Sequence, residues 1–141
     1  MNTPQFPSDP RVAVGGLYYF GRMADKIRKH ARGELRADFV PNLGKGMDAR
    51  LCSFLGVDYA ALSQFVLTGA SDAAALAWCI KQGRPLNDDL IVIWNDFVSK
   101  RGWNDAATPN LEKQKAEAGL AGRADIRTMF EFWAIDEGRQ S

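Results

Sequence analysis

Glycines divide this sequence into short segments of similar length. Asp, Asn, Ser and Thr are typical of helix N-caps because their side chains accept bonds from free N–H groups, whereas glycine favours the left-handed conformation that ends a helix. Five segments begin and end with such a pair: Asp48 with Gly56, Asp58 with Gly69, Ser71 with Gly83, Asn87 with Gly102, and Thr108 with Gly119. This spacing predicts a series of short helices.

The apolar residues within these segments support the same interpretation. They recur at intervals of three and four, which gives a helix one apolar face, as in Leu90, Ile93, Trp94, Phe97 and Val98. A further segment, over about residues 14–32, is apolar around most of its first half, so we expect this first helix to be central. The alternative is that Gly15 and Gly16 mark the start of this helix. The helix after Thr108 has Leu111 as nearly its only large apolar residue, and it is expected on the surface with its lysines, Lys115 among them.

The fold class that follows is all-α. We predict a single compact domain of about seven short helices packed around the central apolar first helix. This domain is expected over residues 11–139, after a polar, Pro-rich and flexible N-terminal segment over residues 1–10.

Composition excludes several classes of function. Lys and Arg number 18 and Asp and Glu 17, for a net charge of +1, so the chain has no long-range field to attract nucleic acid or a membrane. No apolar run of about 18 residues and no signal-peptide pattern occurs, so a cytoplasmic location is expected. Cys52 and Cys79 lie in apolar helical patterns and are expected to be buried free thiols. With His30 as the single histidine and no CxxC pair, neither a metal site nor a cofactor is expected.

Several stretches form a recognisable series along the chain. They are residues 14–17 (VGGL), 22–28 (RMADKIR), 42–44 (NLG), 54–59 (FLGVDY), 93–97 (IWNDF), 99–105 (SKRGWND), 128–132 (TMFEF) and 136–139 (DEGR). Taken in order, they resemble an uncharacterised bacterial family of small helical domains of unknown function. The resemblance runs from about residue 8 to residue 139. It implies a small helical domain and no particular reaction, cofactor or catalytic residue.

The first candidate site is a charged stripe on the first helix. Arg22, Lys26 and His30 follow one another at four-residue spacing, and Asp25 lies three residues after Arg22. A carboxylate held by an arginine suits acid–base chemistry or the binding of an anion. If the chain is an enzyme, these four residues are its predicted catalytic residues. The alternative is that Asp25 pairs along the helix and the stripe is a solvated face, with His30 placed to suit the helix dipole.

The second candidate site is the glycine-rich loop before Asp48. Its residues Asn42, Gly44 and Lys45 precede a predicted helix N-terminus, where backbone N–H groups and a lysine can bind an anion. Asp48 competes for the same helix end, and an ordinary turn is the alternative. The spacing is not that of a Walker loop.

The third candidate site is the segment with Lys100, Arg101 and Trp103. A tryptophan beside basic residues can stack on the ring of a ligand. The alternative is a helix C-terminus after which Trp103 folds back onto the core.

These sites favour one function over another. We predict a small helical binding or interaction module that recognises a small anionic ligand, working through a cleft or a homodimer face. The predicted ligand-binding residues are Arg22, Lys26, Asn42, Gly44, Lys45, Lys100, Arg101 and Trp103. The alternative is a small cofactor-free enzyme that uses Asp25 with Arg22, Lys26 or His30 on a small anionic substrate.

Overall fold

The regular secondary structure of the described residues is helical. The structure, a computed structural model, describes residues 5–140. It contains α1 (Phe20–Ala31), a 3-10 helix (Ala37–Asn42), α2 (Met47–Leu55), α3 (Tyr59–Val66), α4 (Asp72–Gln82), α5 (Asp88–Ser99), α6 (Thr108–Glu117) and α7 (Met129–Asp136). Two isolated bridges, Gln5 with Leu35 and Val14 with Leu17, are the β pairings among the described residues. The predicted all-α class is confirmed. None of these helices is long and apolar enough to cross a membrane.

Three of the five predicted caps form as the sequence indicates. The side chains of Asp58, Ser71 and Asn87 each accept a bond from the backbone N–H three residues later. Thr108 differs, since α6 begins at Thr108 itself and its hydroxyl donates to the carbonyl of Gly102. Asp48 also differs, because α2 is preceded by Gly46 and has no side-chain cap. The carboxylate of Asp48 is therefore left for another role.

The contacts group the chain into two compact units, one up to Ile91 and one from Val92 onward. In the first unit, α1 packs against α3 and α4, and α2 packs against α3. The α1 residues Phe20, Met23, Ala24 and Ile27 are buried, which confirms the predicted central position of the first helix within this unit. The domain bounds 11–139 stay a prediction.

The first helix begins later than the sequence predicts. Val14 and Leu17 exchange two backbone hydrogen bonds, of 3.0 and 2.9 Å, across a turn formed by Gly15 and Gly16. Both glycines have positive φ, +56° and +84°, which glycine adopts without strain. Tyr19 then takes a left-handed conformation, with φ of 73°, directly before α1. Leu17 and Tyr19 are thus buried before the helix begins, next to a turn rather than within a helix.

The second unit has its own core. Leu111 of α6 and the buried residues Ile126, Met129 and Phe132 form one apolar cluster, and α6 packs against α7. Trp94 and Val98 of α5 are also buried, as the apolar stripe of that helix predicts, but Ile93 of the same predicted stripe is 60% exposed.

Candidate functional site

A buried ion pair lies in the first unit. The Lys26 Nζ atom is 2.6 Å from Asp48 Oδ1, and Asp48 has no exposed surface. The Tyr19 hydroxyl donates to the same Oδ1 at 2.6 Å, and Lys26 Nζ donates to the Tyr19 hydroxyl oxygen at 2.9 Å. The backbone N–H of Gly44 donates to Asp48 Oδ2 at 3.1 Å. Both oxygens of this carboxylate therefore have donors, as a buried charge requires.

Asp48 influences the ionisable groups around it. Burial, and then the Asp48 charge, raise the pKa of Tyr19 well above its usual value. The same two causes raise the pKa of Tyr59 to about 12 and that of Cys52 to about 12. Both effects disfavour a second negative charge near the first. Tyr19 is therefore protonated at neutral pH and acts as a hydrogen-bond donor.

The glycine-rich loop does place a backbone donor on an anion, and that anion is the chain's own Asp48. Of the predicted ligand-binding residues, Lys26 and Gly44 meet at its carboxylate. Asn42 and Lys45 are exposed, and their backbone groups bond to each other in a turn. A Cβ on Gly44 would lie 2.7 Å from the ring of Tyr59, so this close approach requires glycine.

The charged stripe on α1 binds part of the N-terminal segment. Asp25 accepts from the backbone N–H of Ser8 at 2.8 Å and from Lys29 Nζ at 2.6 Å, while Arg22 donates to the Ser8 carbonyl at 3.2 Å. Arg22 is buried, and His30 is exposed at the end of α1. Residues 1–4 of the predicted flexible segment lie outside the described residues. Residues 6 and 8 of that segment bond to side chains of α1.

A cleft of about 370 Å³ lies in the second unit. Its lining includes Trp103, Glu112, Lys115 and Arg127, from the loop after α5, from α6 and from the segment before α7. Trp103 is 52% exposed. The alternative in which Trp103 folds back onto the core is therefore wrong.

The loop that carries Trp103 is fixed by a carboxylate. Asp105 accepts from the backbone N–H of Gly102 at 2.9 Å and from that of Ala107 at 2.8 Å. Burial acts to raise the pKa of Asp105, but these bonds and the nearby Arg101 outweigh it, so that this pKa lies below its usual value. Arg101 lies 3.4 Å from Asp105 and over the ring of Phe97. Neither Arg101 nor the exposed Lys100 is among the described residues that line the cleft.

Lys115 is the functional candidate that sequence reasoning missed. The sequence predicts it on the surface, but it is only 3% exposed. Its Nζ atom donates to the Ile126 carbonyl at 3.0 Å and lies 3.5 Å from Glu112 Oε1, on a side chain that is 54% exposed. One signal was available, since Lys115 follows the apolar Leu111 by four residues and shares its helix face.

A family model matches residues 4–139, and its description is a domain of unknown function, DUF5069. The chain belongs to the DUF5069 family. This agrees with the resemblance to an uncharacterised family. No curated protein matches the chain.

Two lysines of this DUF5069 chain, Lys26 and Lys115, are buried. Among its described residues, no group of three His, Cys, Asp or Glu side chains could hold a metal ion. Lys26 is neutralised by a buried carboxylate, whereas Lys115 lines a cleft and has two exposed carboxylates near it, Glu112 at 3.5 Å and Asp125. The second arrangement is suited to binding an anion that enters from solvent.

Proposed function

We propose that this DUF5069 chain is a binding module that recognises a small anionic ligand in the cleft of its second unit. The buried ammonium of Lys115 supports this proposal most strongly. An ammonium has three N–H donors, and here one is directed to a neutral carbonyl and one reaches a carboxylate at 3.5 Å.

The carboxylate of Glu112 compensates this charge weakly. An exposed ion pair contributes only about 0–1 kcal/mol, because water solvates the carboxylate and the side chain is free to move away. A buried cation that lacks a close counter-charge is costly. A ligand anion in the cleft would supply that counter-charge and form a charge-assisted hydrogen bond, which contributes roughly 1.5–3 kcal/mol.

The cleft itself suits a small molecule. Its volume of about 370 Å³ falls within the range of roughly 300–1,000 Å³ that is usual for ligand sites. The exposed Arg127 is a second cation on its lining.

The proposal is tested by thermal shift with acetate, benzoate, phosphate and citrate at matched ionic strength. At least one of these anions should raise the melting temperature of the wild type in a saturable manner, and Lys115→Met should abolish the rise. Lys113→Met is the matched control, because Lys113 is an exposed lysine on the same helix and should leave the rise intact.

A second variant of the cleft tests the proposal if Lys115→Met does not fold. Arg127→Gln changes an exposed residue of the same lining. It should weaken the binding of the same anion without lowering the melting temperature of the free protein. Absence of any saturable stabilisation of the wild type would overturn the proposal, as would full stabilisation of folded Lys115→Met.

The alternative function, acid–base catalysis by Asp25 with Arg22, Lys26 or His30, stays a prediction. So do the homodimer face, the cytoplasmic location and the expectation that nucleic acid and membranes are not partners.

A further inference from the structure

Trp103 adds a flat apolar surface to the same cleft. Its side chain is 52% exposed, although burying a large aromatic ring is normally favourable. The loop is held in place, because Asp105 accepts from Gly102 and Thr108 bonds to both Asp105 and Gly102. An exposed ring on a fixed loop is a preorganised surface on which another ring can stack.

The charges of the lining define the charge of the ligand. Lys115 and Arg127 are cations and Glu112 is an anion, and these are the charged side chains among the described residues that line the cleft. The lining therefore carries one net positive charge. A carboxylate, with one negative charge and two acceptor oxygens, neutralises it, whereas a phosphate monoester carries about −1.5 to −2 at pH 7 and would leave an excess of negative charge.

We infer that the ligand is a planar aromatic monocarboxylate, with its ring on the indole of Trp103 and its carboxylate at the ammonium of Lys115. This inference rests on the proposed function and narrows its ligand class. Aromatic pairs contribute roughly 0.5–1.5 kcal/mol beyond the burial of their area, so the ring should add about two- to twelvefold in affinity.

The test is calorimetric titration of the full chain with four probes. Benzoate carries both features, cyclohexanecarboxylate carries the charge without the flat ring, benzamide carries the ring without the charge, and phenyl phosphate carries the ring with a larger charge. Benzoate should bind about two- to twelvefold tighter than cyclohexanecarboxylate. It should also bind tighter than benzamide and phenyl phosphate.

The matched variants are Trp103→Ala and Trp103→Phe. Because Trp103 is largely exposed, both should fold, which circular dichroism checks. Trp103→Ala should make the affinities for benzoate and cyclohexanecarboxylate equal, and Trp103→Phe should restore part of the preference for benzoate.

The possible results separate this inference from the proposed function. If benzoate and cyclohexanecarboxylate bind the wild type equally and both depend on Lys115, the stacking of an aromatic ring on Trp103 is wrong and the proposed anion site is retained. If phenyl phosphate binds tightest, the inference that the ligand carries a single negative charge is wrong. An unchanged preference for benzoate in Trp103→Ala would also overturn the inference. If none of the anions binds, the inference and the proposed function fail together.

Discussion

Two lysines, one in each unit, are buried to a similar degree and compensated differently. Lys26 is 7% exposed and Lys115 is 3% exposed. The ammonium of Lys26 lies 2.6 Å from a carboxylate without exposed surface, and a tyrosine hydroxyl and a backbone N–H bond to the same carboxylate. The ammonium of Lys115 lies 3.5 Å from a carboxylate that is mostly in water.

Burial of a charge does not by itself identify a binding site. What distinguishes the two lysines is the distance and the exposure of the opposite charge. A fully compensated ion pair has no uncompensated charge that could bind a ligand. It stabilises the fold only while both partners remain. A weakly compensated cation on the lining of a cleft is able to accept a new partner.

The largest expected effect comes from removing each carboxylate in turn. Asp48→Ala leaves the ammonium of Lys26 buried without its counter-charge, so the free energy of unfolding should fall by about 3–5 kcal/mol. Glu112→Ala removes an exposed partner and should change it by less than about 0.5 kcal/mol. Urea denaturation followed by circular dichroism measures both values. Equal effects of the two substitutions would show that Lys26 and Lys115 are compensated alike.

A double variant separates the lost charge pair from lost packing. Lys26→Met combined with Asp48→Ala leaves no uncompensated ammonium, and it should be more stable than Asp48→Ala alone. A double variant that is less stable than the single one would contradict the assignment of the cost to the charge of Lys26.

Tyr19→Phe should have a smaller effect on the same pair. It removes one hydroxyl that donates to Asp48 and accepts from Lys26, and a hydrogen bond to a charged group contributes roughly 1.5–3 kcal/mol. The same substitution made in Asp48→Ala should cost less, which a double-mutant cycle measures. Strict additivity of the two substitutions would mean that the hydroxyl does not act through Asp48.

Alkaline pH should destabilise the first unit through its two buried thiols, Cys52 and Cys79. Burial and then Asp48 raise the pKa of Cys52 from 9.0 to about 12, and burial and then Cys52 raise that of Cys79 from 9.0 to about 12. Between pH 9 and about pH 12, the thiols of the unfolded chain lose protons that the thiols of the folded chain keep. The free energy of unfolding therefore falls as pH rises. This contribution is fully present below about pH 9.

Denaturation midpoints at pH 8, 9.5 and 11 measure this slope. In Cys79→Ala the slope should be shallower, whatever the stability of that variant at pH 8. Midpoints that do not change between pH 8 and pH 11 would contradict the raised pKa values.

The smallest expected effect is on ligand affinity. Glu112→Gln removes the carboxylate that competes with a ligand anion for Lys115, and an exposed pair of this kind is worth about 0.2–1 kcal/mol. Benzoate should therefore bind tighter by up to about fivefold, and less so at high salt. Weaker binding by Glu112→Gln would indicate that Glu112 holds Lys115 in place rather than competing with the ligand.

The sequence alone determined the local features of this protein. The caps at Asp58, Ser71 and Asn87 involve residues within a few positions of one another, so their spacing is sufficient to predict them. Apolar spacing predicted the burial of Trp94 and Val98 in α5, but not the exposure of Ile93. The sequence also indicated that the loop containing Gly44 would present a backbone donor to an anion.

The pairing of each charge with its partner depends on how distant segments of the chain pack. Lys26 and Asp48 are 22 residues apart, and Lys115 is buried at the carbonyl of Ile126, 11 residues further along the chain. Neither pairing leaves a periodic signal, because it depends on where two separate segments pack. Short-range hydrogen bonding and apolar spacing fixed the helices, whereas the burial and compensation of charge depended on contacts that exist only once the helices have packed.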